Sequence, residues 1–421
     1  MHKKFTSIIV AFVLAGTLVA CGSAEKEGTT GASSGTAVTT EAGKTDASEE
    51  TTVESGQATE AEGAEASTAS TGADDLFTER DLAQTADTSD AEKITVSDGQ
   101  DISITKAGTY VISGNASNVT ISVDVQDEDK VQLVLDGVSI TNETRPCIYV
   151  KNADKVFITT TDSENSLSVT GTFEADGDTN TDAVIFAKDD ITLNGVGTLN
   201  ISSSDNAVSC KNDLKVTGGT YNIECSHSAF EAKDSISVAD GTINISSCVD
   251  GLHAEDDDDN SKGTIYIRGG NISINASDDG IHATVEVTID GGNFNIIAGE
   301  GIESTTIRIN DGNIYIEASD DGINAAKKSD NVTPEVEFNG GTTKIVMGAG
   351  DTDGVDSNGN ITMNGGTVDI TGQFTFDFDG QATVNGGTII ENGTETNTIT
   401  NSMMGGGGGG RGGNPGGGFG H

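Results

Sequence analysis

The chain has 421 residues, with 67 acidic side chains against 22 basic ones and a formal charge of −45. A polyanion of this kind repels nucleic acid, which excludes nucleic acid as a partner. It has no Trp and only five Tyr beside 56 Gly, which disfavours a flat aromatic platform for crystalline sugar.

The N-terminus opens with a basic His2-Lys3-Lys4, followed by an apolar run, Ile8–Val19, that is too short for a membrane span. Leu18-Val19-Ala20-Cys21-Gly22 comes next and is similar to a bacterial lipobox, in which the cysteine is acylated and becomes the mature N-terminus. Residues 1–20 are therefore expected to be a lipoprotein signal peptide, with Cys21 lipidated. The anchor would hold the protein on the extracellular face of a bacterial membrane, at the cell surface, without spanning it. Residues 21–90 are Gly, Ala, Ser, Thr and Glu with few large apolar side chains. They cannot bury enough surface to offset chain entropy, and are expected to form a disordered acidic tether. Residues 402–421 carry the glycine-dominated run Gly405–Gly420 and are expected to be a flexible tail.

Residues 91–401 are expected to form a single β domain, monomeric in solution. Words such as Thr242-Ile-Asn-Ile245 and Ile265-Tyr-Ile267 alternate with Gly-Gly or Asp-Gly turns, and helical periodicity is absent. The turn words are headed by residues 218, 240, 269, 291, 311, 340, 365 and 386, spaced 22, 29, 22, 20, 29, 25 and 21 residues apart. The longer steps carry insertions such as Glu255–Lys262. Short β-branched strands at this period predict a solenoid, all-β, wound as a right-handed parallel β-helix.

In such a coil each residue lies about 4.8 Å above its counterpart in the previous rung, so columns carry more information than linear motifs. Val208, Phe230, Leu252, Ile281, Ile302, Ile323 and Val355 form an inward apolar column. Ala187, Cys210, Ala232, Ala254, Ala283, Ser304, Ala325 and Ser357 form a small-residue column. Cys225 and Cys248 fall on successive rungs, close enough for a disulfide that the fold does not require.

Two further columns are polar and are expected to face outward. One reads Asn206, Ser228, Asp250, Asp279, Glu300, Asp321 and Asp353; the other reads Ser209, Glu231, His253, His282, Glu303, Asn324, Asp356 and Asp377. Carboxylates stacked about 5 Å apart repel one another by about 3 kcal/mol at an effective dielectric of 20. Asx-turn chemistry accounts for one Asp per rung. It accounts less well for the paired column, for the doubled Asp278-Asp279 and Asp320-Asp321, or for Asp351 before Asp353. Hard oxygen donors in this number suit Ca²⁺, and the two histidines leave a transition metal as the alternative. The candidate metal ligands are Asp250, His253, Asp278, Asp279, His282, Glu300, Glu303, Asp320, Asp321, Asn324, Asp351, Asp353 and Asp356. A basic column, Lys188, Lys211 and Lys233, with Lys151 before it, either neutralises Asp189, Asp213 and Asp234 or offers a cationic strip to the carboxylates of a ligand.

Gly108-Thr-Tyr-Val-Ile-Ser-Gly114, Val184-Ile-Phe-Ala-Lys-Asp-Asp-Ile-Thr-Leu-Asn-Gly-Val-Gly-Thr-Leu199 and the Asp-Gly-Ile words together resemble the bacterial carbohydrate-binding domain-containing β-helix lipoproteins. The resemblance covers residues 92–400. It implies a pectate-lyase-like coil that binds calcium and an acidic polysaccharide such as polygalacturonate, with Asp250, Asp279, Glu300, Asp321 and Asp353 as calcium ligands. Glu300 departs from the Asp pattern of the other rungs. No lyase catalytic motif can be matched, so no catalytic residue is carried over.

Three functions remain open from the sequence. The first is a non-catalytic, calcium-bridged binder of acidic glycan. The second is a calcium-dependent polysaccharide lyase with Lys233 as base, against which Glu231 and Asp234 would keep that lysine charged. The third is a structural or adhesion protein whose calcium only stiffens the coil.

Overall fold

A computed structural model describes residues 76–402 apart from Asp257 and Asp351. The signal peptide, Cys21, the bulk of the tether, most of the glycine tail and the candidate ligand Asp351 lie outside the described residues. Among the described residues all 34 strands join one continuous sheet. All strand pairings are parallel except the last, between Thr388–Glu391 and Thr394–Thr396. No helix is present among these residues. The chain is a parallel β-helix.

Three faces wind around the core. The first stacks Ile148–Asn152, Ala183–Ala187, Asn206–Cys210, Phe230–Ala232 and Leu252–Ala254, then the start of Asp279–Ile289, the start of Glu300–Ile309, and Ile323–Ala325, Asp353–Ser357 and Phe374–Phe378. The second stacks Lys155–Thr160, Asp190–Gly195, Asp213–Val216, Ser235–Val238 and their successors. The third stacks Glu164–Val169, Thr198–Ser203, Thr220–Glu224, Thr242–Cys248 and their successors. Register follows the expected columns: Leu252 pairs with Ile281, Ile281 with Ile302, Ile302 with Ile323, and Ile323 with Val355. The β-branched side chains that alternate inward along each strand fill the core, and every member of the apolar column is fully buried.

The two kinds of glycine have different physical reasons. In the turn pairs the second glycine has positive φ, as at Gly292 (109°) and Gly312 (116°), which L side chains rarely adopt. The glycine of the Asp-Gly-Ile words stands where a turn would be read from the sequence. It has no positive φ and is required for space instead. A Cβ on Gly301 would lie 2.3 Å from the Gly322 carbonyl oxygen and 2.5 Å from Ile316 Cγ2, and Gly251, Gly280, Gly322 and Gly354 are crowded in the same way. Outside the core, exposed asparagines ladder from rung to rung. Asn385 donates to Asn364, Asn364 to Asn339 and Asn339 to Asn310, at 2.7–2.8 Å. Each amide satisfies the next.

The expected tether boundary at residue 90 is corrected, because the chain is already docked on the coil from residue 76. Phe77 is buried, and Asp81 is fully buried against the outer side of the second face. There Asp81 accepts a hydrogen bond from Thr192 Oγ1 at 2.7 Å. Gln84 donates to the Thr217 carbonyl at 2.9 Å and accepts from Gly195 N at 3.0 Å. The segment covers Thr159, Thr192 and Asn194, polar side chains that are buried beneath it. Composition concealed this because the docking is polar: a single phenylalanine is buried beside a network of hydrogen bonds. Cys225 and Cys248 are buried free thiols, so no disulfide joins them.

Candidate functional site

The first face carries a continuous polar column whose chemistry changes along the coil. Cross-rung pairs run Tyr149–Phe186–Ser209–Glu231–His253–His282–Glu303–Asn324–Asp356–Asp377. Three residues earlier on each strand runs the companion acidic column. There Asp250 Oδ1 accepts the Asp279 amide at 3.2 Å, and Asp321 Oδ1 accepts the Asp353 amide at 3.1 Å. Part of the Asp repeat therefore does backbone work between rungs, rather than within its own turn as Asx-turn chemistry would have it.

The ladders do not simply face outward as expected. Asp250, Asp279, His282 and Glu303 are all less than a tenth exposed. The reason is tertiary. The insertion around Glu255–Lys262 and the one around Ala326–Pro334 fold over this stretch and meet, with Ser329 Oγ donating to the Asn260 carbonyl at 2.6 Å. Thr305 Oγ1 accepts from the amides of Lys328 and Ser329 at 3.0 and 2.8 Å, which fixes the second insertion to the coil.

Beneath the insertions the acids are neutralised by side chains. His253 and His282 stack with centroids 4.6 Å apart and ring planes 13° from parallel. His253 Nδ1 is 3.2 Å from Asp250 Oδ2, and its Nε2 is 3.2 Å from Glu255 Oε2. His282 Nδ1 is 2.7 Å from Asp279 Oδ2 and 2.9 Å from Glu303 Oε2, and Lys328 Nζ reaches the same Glu303 oxygen at 2.8 Å. Burial disfavours both imidazoliums, yet the surrounding carboxylates more than offset it, raising His253 to about 10 and His282 to about 9. Burial also raises the Asp279 carboxyl, against the pull of His282. His282 and Lys328 hold Glu303 low despite its burial.

Beyond Glu303 the direct ion pairs along the column stop. Glu300 is pushed up to about 8 by burial and by Glu303, Asp279 and Asp321. Asp356 is pushed up to about 6 by burial, Asp321 and Asp377, and burial raises Asp321 as well. Among the described residues no Lys, Arg or His comes within ion-pair distance of these three carboxylates. Asn324 donates to Glu300 Oε2 at 3.0 Å, while its own Oδ1 is buried without a hydrogen-bond partner.

The twelve metal candidates among the described residues thus divide by position. Asp250, His253, Asp279, His282 and Glu303 form the ion-paired group. Glu300, Asp321, Asn324 and Asp356 form the uncompensated group, with Asp353 joined to it through Asp321. Asp278 and Asp320 are exposed at the corner and contribute backbone groups: the Asp278 carbonyl accepts from Gly299 N and Glu300 N. Glu255 and Lys328 were not anticipated as partners of the column. They lie in insertions outside the repeat, where no periodicity could reveal them.

The lysine column is mostly committed, though not to the acids named from the sequence. Lys211 pairs with Glu231 at 2.9 Å and Lys233 with Asp256 at 3.1 Å, one rung along in each case. Asp234 pairs with Lys262 at 2.7 Å, and Asp213 accepts from Ser235 Oγ. Lys188 has no ion-pair partner among the described residues. Near it the aromatic end of the column is built from Tyr149 and Phe186, edge to face at 5.6 Å. Lys151 Nζ lies 4.7 Å from the Tyr149 ring centroid. Tyr149, Lys151, Arg145, Asp101 and Asp176 line a pocket of about 220 Å³.

A family model described as "carbohydrate-binding domain-containing protein" matches residues 98–354. A curated protein of Acetivibrio thermocellus with the same description is 39% identical over 124 residues, covering 28% of this chain and 43% of that relative's own length. A solved structure described as a polysaccharide lyase-like protein from C. thermocellum, in a gadolinium derivative, aligns at 32% identity with a TM-score of 0.48. It covers 50% of this chain and 92% of that one.

Proposed function

Because the chain belongs to the carbohydrate-binding domain-containing family, we propose that it is a non-catalytic, calcium-dependent binder of acidic polysaccharide, of the polygalacturonate type, displayed from a lipid anchor at Cys21 on the outer face of a bacterial membrane. The observation that carries the calcium reading is the uncompensated end of the column. Glu300 and Asp356 each feel the charge of Asp321, none of the three has an ion-pair partner among the described residues, and the partnerless Asn324 Oδ1 adds a neutral oxygen. The donor set is all oxygen, and a hard divalent ion there would relieve the repulsion that raises these carboxyls. A bound Ca²⁺ would supply the positive charge that a uronate carboxylate needs on a protein this acidic.

Binding is favoured over lysis by the state of the candidate base. Lys233 Nζ is held by Asp256 at 3.1 Å, an ion pair that a lyase mechanism would have to break before this nitrogen could reach a sugar.

Polygalacturonate is expected to be retained by the calcium-loaded chain and released by EDTA; equal binding in the two conditions would sink the proposal. Glu300→Gln with Asp356→Asn is expected to weaken calcium binding by about tenfold or more. Saturating calcium, at about 100 times its dissociation constant, should stabilise the unaltered chain by about 2.7 kcal/mol in thermal unfolding. The double variant should lose that increment. Accumulation of unsaturated product absorbance during incubation would instead establish a lyase.

A further inference from the structure

We propose that His253, His282 and Glu255 form a second metal site of a different class, one that takes a borderline first-row divalent cation such as Zn²⁺. It lies on the ion-paired half of the column, separate from the all-oxygen group around Glu300. One ligating atom from each of the three residues lies within 4.8 Å of the other two.

Ring orientation is the first support. A metal-bound imidazole ordinarily donates its other N–H to a carboxylate, which sets the tautomer and aims the free nitrogen. Both histidines are held in this way. His253 Nδ1 faces Asp250 Oδ2 at 3.2 Å, and His282 Nδ1 faces Asp279 Oδ2 at 2.7 Å. Both Nε2 atoms then converge on one carboxylate oxygen, Glu255 Oε2, at 3.2 and 3.7 Å.

The second support is independent of that geometry. His282 is 5% exposed, and its Nε2 has no hydrogen-bond partner. A buried nitrogen without a partner is costly, and this one points toward the other two candidate donors. A Zn²⁺ ion needs ligand nitrogens at about 2.0–2.1 Å, so a modest closure of Glu255 and the stacked rings would complete three ligands and leave a fourth position open. A bound ion would take the place of the proton that each ring releases on binding, and Asp250, Glu255, Asp279 and Glu303 would then set four carboxylates around the ion against the single Lys328. The alternative grouping of His282 through Nδ1 with Asp279 and Glu303 is already satisfied, because Lys328 occupies Glu303 at 2.8 Å.

Glu255 is the residue that makes the site three-handed, and it comes from an insertion. The two histidines come from consecutive rungs of the first face. Closing the site would tie that insertion to the coil. The ligand class follows from two imidazoles with one carboxylate, which select the borderline ion over Ca²⁺.

The test uses the full chain, stripped of metal, carrying no polyhistidine tag, and kept in millimolar Ca²⁺ throughout. Calorimetric titration with ZnCl₂ is expected to show one site that calcium does not occupy. His253→Ala and His282→Ala should abolish it, and Asp279→Asn should weaken it by about 10–100-fold through the orientation of His282. In the unaltered chain Co²⁺ should give the intense visible band of a four-coordinate site, a readout that needs no variant to fold. Absence of that band, or equal zinc uptake by a folded His282→Ala chain, would overturn the proposal. Polygalacturonate retention in calcium alone is expected to be unchanged by His253→Ala, so the outcome here is separable from that of the calcium-glycan reading.

Discussion

Asp81→Ala is expected to destabilise the coil by about 3–5 kcal/mol, the cost of breaking a buried charge network from one side. Asp81 accepts from Thr78 N and Oγ1 at 2.9 Å each and from Thr192 Oγ1 at 2.7 Å, and lies 3.5 Å from both Lys155 and Lys215. With the carboxylate gone, Lys155 retains Asp190 at 3.7 Å, whereas Lys215 loses the only carboxylate it pairs with among the described residues. Thr192 loses its acceptor in a buried place, and Thr78 loses its acceptor at the exposed edge of the docked segment. Chemical denaturation measures the loss. Hydrogen exchange should locate it in Lys155–Thr160, Asp190–Gly195 and Asp213–Val216, the strands beneath the docked segment. A variant with an unchanged midpoint would show that residues 76–87 merely rest on the coil.

The same residue sets a pH dependence. Burial works against the Asp81 carboxylate, but the hydrogen bonds from Thr192 and Thr78 and the charge of Lys155 outweigh it, holding its pKa at about 2, below the ordinary 3.8. Between those values the unfolded chain binds more protons than the folded one, so the contribution is present above about pH 4 and is lost as the pH falls to about 2. Comparing the unaltered chain with Asp81→Asn should isolate roughly 2 kcal/mol of pH-dependent stability in that window. Equal slopes in the two proteins would count against the assignment.

Gly301→Ala is expected to cost about 1–3 kcal/mol, although alanine is the mildest substitution available. The added Cβ would meet the Gly322 carbonyl oxygen at 2.3 Å and Ile316 Cγ2 at 2.5 Å. The carbonyl belongs to the next rung and cannot rotate away, so the coil must open locally or twist. Because Gly301 lies between Glu300 and Glu303, the strain should also reduce calcium affinity under the calcium-binding proposal, which separates this variant from a simple loss of core packing. Thermal unfolding with and without calcium reads both effects. Full retention of both would mean that neighbouring rungs slide more freely than their glycine-to-glycine contacts imply.

The coil itself was legible because its information is periodic. Glycine pairs marked the turns, and β-branched alternation placed Ile281 over Leu252 and Ile302 over Ile281. One residue of slip would have turned every inward side chain to solvent. The same argument placed Glu231, His253, His282, Glu303, Asn324 and Asp356 in one column, and the structure pairs them in that order. The glycine of the Asp-Gly-Ile words was visible too, but its reason was not, since crowding by the next rung depends on an approach that no linear spacing encodes.

What the sequence determined alone is therefore what nearest-neighbour stacking determines: an all-β parallel coil, its register, and a column of acids and histidines along one face. Only the tertiary structure decided how that column is used. Glu255 and Lys328 arrive from insertions without periodicity, and the contact of Ser329 with Asn260 spans 69 residues. Glu255 and Lys328 add their charges to the buried pairs of Asp250 with His253 and of His282 with Asp279 and Glu303, while Glu300, Asp321 and Asp356 have no ion-pair partner among the described residues. The docking of Asp81 on Thr192, 111 residues away, was hidden for the same reason. A repeat reports what each rung asks of the next, and contacts that bridge distant segments leave no period in the sequence.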